Sequence, residues 1–285
     1  MKSSKIILLP LDGSNSSLKG ILPAKSLAIL LNTHVHIIHI SEETLSHQDL
    51  LKKLGISTKE ISEFVITHKR GNPIEIILEE AKSASCIIIC NNKTEFINPV
   101  TLKVLEKSNV PVLLFKPDTI ITPNDGAWIP GRILIPLDGT PDSAQAFDAS
   151  FDIIREAKAD IDVVHILNLD NEGEEDSIKA PYYVDHSYQE WSLWSEEFLK
   201  RFFPYNPTDT HVKLHVSTHN PAEEILSFAK KNKNDLVVLA WNGKLSSGHG
   251  EVLKKIIREI SCPILLNKII PGKQYLHRTS ATGDN

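Results

Sequence analysis

Apolar positions in this chain gather in short unbroken runs. Residues 5–14 read Lys-Ile-Ile-Leu-Leu-Pro-Leu-Asp-Gly-Ser, and residues 132–140 read Arg-Ile-Leu-Ile-Pro-Leu-Asp-Gly-Thr. A β-branched apolar run without polar alternation predicts a strand buried on both faces, as in a parallel sheet. Each run ends in Asp-Gly and a hydroxyl residue. These turn the chain, cap a helix, and leave a carboxylate and backbone N–H groups at the strand's C-terminal edge. In open α/β sheets that edge is where ligands bind.

The remaining pattern repeats as well. In the first half, residues 16–31 read as an amphipathic helix, 34–40 as a strand, 44–54 as helical and 63–67 as extended. Gly71-Asn72-Pro73-Ile74-Glu75 then gives a helix start, with Asn at the cap, Pro first and Glu third. His219-Asn220-Pro221-Ala222-Glu223 is its counterpart. Fourth strands follow at 86–90 and 236–240, and final strands at Val112-Leu113-Leu114 and Ile264-Leu265-Leu266, each behind a proline. Asp12 and Asp138 stand 126 positions apart, Pro73 and Pro221 148, and Pro111 and Pro263 152, always in the same order. This is a duplication with insertions, most of the added length falling between the first strand and third helix of the second half. Each half reads βαβαβαβαβ, which implies a parallel, doubly wound sheet with right-handed crossovers. The expected domains are 1–116 and 132–270, joined by a proline-containing linker at 117–131 and followed by a polar, mobile tail at 271–285.

Composition narrows the function classes. With 285 residues, 41% hydrophobic and 24% charged, the chain fits two globular domains, and no run reaches the ~20 apolar residues of a membrane helix. The N-terminal apolar run is no signal peptide, because its second copy marks it as structural. A net charge of −5 without a Lys/Arg cluster argues against a nucleic-acid surface. Cys86, Cys90 and Cys262 sit in apolar stretches without paired spacing, as buried thiols of a reducing, cytoplasmic compartment do. His34, His36 and His39, like His211, His215 and His219, read as polar strand residues rather than metal ligands. Ser14 and Thr140 lack a Gly-x-Ser-x-Gly context and read as helix caps, and no P-loop is present. No catalytic residue and no metal are expected.

Strand-Pro-Leu-Asp-Gly-Ser, Gly-Asn-Pro before the third helix and Cys-Pro-Ile-Leu-Leu in the last strand resemble a tandem universal stress protein, over about residues 4–116 and 131–268. The resemblance implies two Rossmann-like (adenine nucleotide alpha hydrolase-like) α/β domains, each a five-stranded parallel sheet flanked by helices. Many members bind ATP or another adenine nucleotide, and they act in stress responses as dimers or tandem pseudo-dimers. ATP-binding members carry Gly-x-x-Gly, nine residues, then Gly-Ser or Gly-Thr between the fourth strand and last helix. An Asp after the first strand contacts the adenosine.

By that pattern Asp12 and Asp138 hold the Asp position, Pro136 and Gly139 share the second turn, and Gly243, Gly250 and Val252 belong to the second half's glycine loop. There Ser246 replaces the middle glycine, the loop is six residues shorter, and Glu251 stands where the family has Ser or Thr. A carboxylate beside a polyphosphate needs compensation, for which Lys244 is the candidate. In the first half Asn91-Asn92-Lys93-Thr94 and Asn98-Pro99 occupy the glycine positions, and Pro99 has no N–H to give a phosphate. If an adenine nucleotide, ATP or AMP, binds at all, it is expected in the second half, with the Asp12 turn structural.

The second half also carries an insertion at about 170–207. After an acidic run, 170–176, it holds Tyr182, Tyr183, Tyr188, Trp191, Trp194, Phe198, Phe202, Phe203 and Tyr205. Trp191, Trp194, Phe198 and Phe202 keep helical spacing, so a helix over about 188–203 has an aromatic face to cover. It packs on the sheet or the first half, closes as a lid over the second strand edge, or meets a second copy or another protein. Two function classes follow: a non-catalytic adenine-nucleotide sensor, or a nucleotide-independent interaction module. A weak nucleotide hydrolase is third, with no positioned base in evidence.

Overall fold

The computed structural model describes residues 5–57, 60–91, 97–119, 121, 123, 126–138, 140, 143, 146–166, 196, 197, 199, 211–217, 220–245 and 250–270. Ten strands form one sheet: β1 (Ile6–Pro10), β2 (Val35–Ile40), β3 (Phe64–Lys69), β4 (Ala84–Cys90), β5 (Val112–Phe115), β6 (Arg132–Leu137), β7 (Asp160–Ile166), β8 (Val212–Ser217), β9 (Leu236–Trp241) and β10 (Ile264–Lys268). Their order is β3-β2-β1-β4-β5-β10-β9-β6-β7-β8. Within each set of five every pairing is parallel, as the unbroken apolar runs predict.

The two sets are not separate sheets, however. β5 and β10 pair antiparallel, Val112 with Leu266, Leu113 with Leu265 and Leu114 with Ile264. Both strands are apolar and buried at these positions, and an unpaired edge of that kind would leave a row of N–H and C=O groups open. Because this pairing is antiparallel, the C-terminal strand edges of the two halves face opposite sides of the molecule.

Helices cover both faces. On one, Ile21–Leu30, His47–Lys53 and Phe151–Ala157 pack Leu27, Leu50, Ile153 and their neighbours onto Ile7, Leu9, Ile133 and Ile135. On the other, Pro73–Ala81, Pro99–Lys107, Pro221–Asn232 and Glu251–Glu259 pack onto Leu8, Ile87, Leu134 and Val237. The Asn-Pro starts behave as read: the Asn72 side chain accepts from Ile74 N at 2.9 Å and that of Asn220 from Ala222 N at 3.1 Å. Such a cap stabilises its helix by about 1 kcal/mol.

Two expectations need correction. The helix expected over 16–31 is broken into Asn15–Leu18 and Ile21–Leu30. Gly20 lies at the break, where a Cβ would stand 2.8 Å from Leu9 Cδ1, so the chain runs against β1 too closely for any side chain. The linker, in turn, is built into the core at its end. Trp128 is buried among the same cluster as Leu27 and Phe115, and its N–H donates to Ser26 Oγ at 2.7 Å. A large aromatic side chain gains too much by burial to hang in a spacer.

The seam is further fixed by a reciprocal exchange. Lys116 Nζ donates to Arg258 O at 3.0 Å, and Lys268 Nζ donates to Glu106 O at 2.6 Å. Both the donors and the acceptors are 152 positions apart. Each lysine puts its charge on the C-terminal turn of the other half's last helix, the negative end of the dipole.

The acidic run, all nine aromatic residues of the insertion and the tail from 271 lie outside the described residues. Between 167 and 210 only Glu196, Glu197 and Leu199 are described, and Leu199 packs against the core. Among the described residues no helix is long and apolar enough to cross a membrane.

Candidate functional site

In each half the strand order reverses beside the first strand, at β1/β4 and at β6/β9, and ligands of such sheets bind at this switch point. The Pro-Leu-Asp-Gly turns part the sheet there. Along β1, Ile7 N and Leu11 N donate to β2, at His34 O and Ile38 O, whereas Ile6 N donates on the β4 side to Ser83 O. Even-numbered N–H groups therefore face β4, and Pro10 has none to give. The β1–β4 pairing stops at Leu8↔Ile87 while β1–β2 runs on to Pro10↔Ile38. Pro136 repeats this: β6–β9 stops at Leu134↔Val237 and β6–β7 runs on to Leu137↔His165. Pro136 is buried within β6.

The aspartates sit just past these splits. Asp138 is exposed, and its Oδ1 accepts from Thr140 N at 2.9 Å, Thr140 Oγ1 at 2.8 Å and Ser143 Oγ. Gly139 lies outside the described residues. Asp12 Oδ1 accepts from Ser14 N at 2.9 Å, and Ser14 caps the short helix by accepting from Ser17 N at 3.2 Å. Burial pushes the Asp12 carboxyl up, but hydrogen bonds from Ser14 and Ser17 outweigh it and hold the group below its ordinary value.

A histidine underlies each turn. His39 Nδ1 meets Leu11 O at 2.7 Å and His165 Nδ1 meets Leu137 O at 3.2 Å. A carbonyl only accepts, so in both the Nδ1 carries the hydrogen. Grouping His39 with the polar strand histidines missed this. The signal was available: among the 12 histidines only His39 and His165 recur at the 126-residue spacing of the aspartates.

Across the split the halves diverge. In the first, Asn91 is buried and its Oδ1 accepts from Asn98 N at 3.1 Å. Asn98 Oδ1 in turn accepts from Val100 N at 2.9 Å, and Pro99 opens the helix. The start of Pro99–Lys107 is thus closed by the chain's own side chains. Lys19 Nζ donates to Pro117 O beside it. Cys90 also stands here, its thiol pushed up to about 12 by burial, with the Lys19, Asp12 and Asp118 charges in range.

In the second half, Asn242 Oδ1 accepts from Lys244 N at 3.1 Å. Gly243 has φ +78°, and a Cβ there would stand 2.7 Å from Lys268 Cε. Gly250, at φ +69°, begins the helix Glu251–Glu259 without a side-chain cap. A Cβ on it would stand 2.8 Å from both Lys244 O and Leu245 Cδ2. Residues 246–249 lie outside the described residues. Glu251 is held at 2.6 Å by Lys254 rather than by Lys244, so its charge is offset from the following turn. Val252 is exposed in the first turn.

Strand order therefore gathers Asp138, Gly243, Gly250 and Val252 at one edge and leaves Asp12 at the opposite one. Such an edge can offer backbone N–H groups to an anion and a carboxylate to a hydroxyl or amine. Among the described residues no group of three His, Cys, Asp or Glu is placed to hold a metal. Burial raises the Cys86 and Cys262 thiols to about 12, which keeps them from acting as nucleophiles at neutral pH.

A universal stress protein of Methanocaldococcus jannaschii is 28% identical over 149 residues, 48% of this chain and 81% of that protein. A universal stress protein from Archaeoglobus fulgidus has the same fold, with a TM-score of 0.62 at 15% identity over 95% of this chain and 98% of that one. A functionally unknown protein from Pseudomonas aeruginosa aligns with a TM-score of 0.58 at 16% identity, over 93% and 92% of the two chains. The family model described as Universal stress protein family matches residues 130–268. Asp138, Gly243 and Gly250 all lie in the part of the chain that this family model matches.

Proposed function

We propose that the whole chain is a tandem universal stress protein of the cytoplasm that binds an adenine nucleotide in its second crevice and does not turn it over. One observation carries this reading. The helix Glu251–Glu259 starts at Gly250 with no side-chain cap, across the β6–β9 split from Asp138, while its counterpart in the first half is closed by Asn98. Asp138 takes the adenosine, and the helix start and the Gly243 turn take phosphate through backbone N–H groups. Lys254 offsets Glu251.

Calorimetric titration with ATP, ADP and AMP, with and without magnesium, tests this. Asp138→Ala is expected to abolish the heat of binding and Asp12→Ala to leave it; equal losses would overturn the assignment. A second reading has its own support, since Gly243 is favoured by its positive φ and Gly250 by its positive φ and its close approach to the Lys244 carbonyl, which are structural reasons for both glycines. On that reading the duplicated fold is a scaffold for protein contacts, and no adenine nucleotide gives a heat.

A further inference from the structure

We infer that Lys268 couples occupancy of the second crevice to the seam between the halves; this rests on the nucleotide reading above. Lys268 ends β10, and its side chain lies against the Gly243 backbone before its ammonium reaches Glu106 O. The stem thus spans two places: the turn offered to phosphate, and the C-terminal turn of Pro99–Lys107 in the other half. A phosphate on the Gly243 turn lies beside the lysine stem. An anionic phosphate oxygen attracts an ammonium through its full charge, which a neutral carbonyl lacks. Lys268 therefore transfers from Glu106 O to the ligand, and the first half's last helix loses the cation at its negative end. The ligand class that triggers this bears phosphate; adenosine alone leaves Lys268 in place.

The coupling runs one way. Lys116, the equivalent residue, holds Arg258 O at 3.0 Å, but the crevice on its side is closed by Asn91 and Asn98. It keeps the far end of Glu251–Glu259 fixed while the near end receives the ligand.

Hydrogen–deuterium exchange on the full chain reads this at the Ser108 amide, which donates to Val104 O in the last turn of Pro99–Lys107. Saturating ATP is expected to speed its exchange several-fold and adenosine to leave it unchanged. Lys268→Met is expected to exchange fast without ligand, to show no further response, and to bind ATP about tenfold or more weakly. Lys116→Met retains the ATP response at Ser108 and instead speeds exchange at Ile260, whose N–H donates to Ile256 O. If Lys268→Met does not fold, Lys268→Arg takes its place, and a retained response is the expected result. Calorimetry on the same samples separates the two ways to fail. A heat of ATP binding with unaltered exchange at Ser108 overturns the coupling and leaves the nucleotide reading standing. No heat overturns both.

Discussion

Asp12 and Asp138 follow strands that run in opposite directions, each two residues past a proline that parts the sheet and above a histidine bonded to the preceding carbonyl. Across the split the resemblance ends. Asn91, Asn98 and Pro99 shut the first helix start, while Gly250 leaves the second without a side-chain cap. What the fold itself demands is present in both copies: strand, proline, turn and histidine. On the proposed reading, what a ligand demands is needed in one copy only. The other is released to close its helix with side chains, which stabilises it.

The comparison can be broken at the seam first. Trp128→Ala removes the aromatic that ties the connecting segment to the first half, and a loss of about 3–5 kcal/mol is expected. Chemical denaturation should then resolve two transitions where the parent shows one. A persistent single transition would mean that the β5–β10 pairing and the lysine exchange join the halves without Trp128.

Next come the helix starts. Gly250→Ala puts a Cβ 2.8 Å from Lys244 O at a positive φ, and about 1–3 kcal/mol is lost along with nucleotide binding. Asn98→Ala costs about 1 kcal/mol and gains no nucleotide, because Pro99 still has no N–H to give a phosphate. Appearance of a second binding heat in Asn98→Ala would show that the cap alone kept the first crevice shut.

The smallest effect is a gain. Asn267 is fully buried, and neither of its amide atoms has a partner among the described residues. The first half carries Phe115 at the matching position, 152 residues earlier. Asn267→Leu should raise stability by about 1 kcal/mol by removing an unmet amide. A fall in melting temperature would reveal a partner for it.

Much of this was legible in the chain. The Pro-Leu-Asp-Gly and Asn-Pro signals are local, because a turn or a cap is decided by a handful of neighbouring residues. The parallel, doubly wound sheet of each half followed from the βα alternation. The β5–β10 pairing left no such trace, since Val112-Leu113-Leu114 reads the same whether its outer edge meets a helix, a copy or β10. Trp128 escaped notice because three prolines nearby mark a linker, and a linker's burial depends on what it crosses. The lysine exchange could have been found: Lys116 and Lys268 share the 152-residue spacing of Pro111 and Pro263. Its partners are backbone carbonyls, which any sequence supplies, so the acceptors were invisible.

The antiparallel junction also sets a problem of timing during synthesis. β5 leaves the ribosome 152 residues ahead of β10. At 5–20 residues per second the interval is roughly 8–30 s. Throughout it Val112–Phe115 is paired with β4 alone, and a Val-Leu-Leu-Phe edge faces solvent with nothing to blunt it. A nascent chain stalled in that window is a ready template for aggregation, and slow codons between the halves would lengthen the exposure.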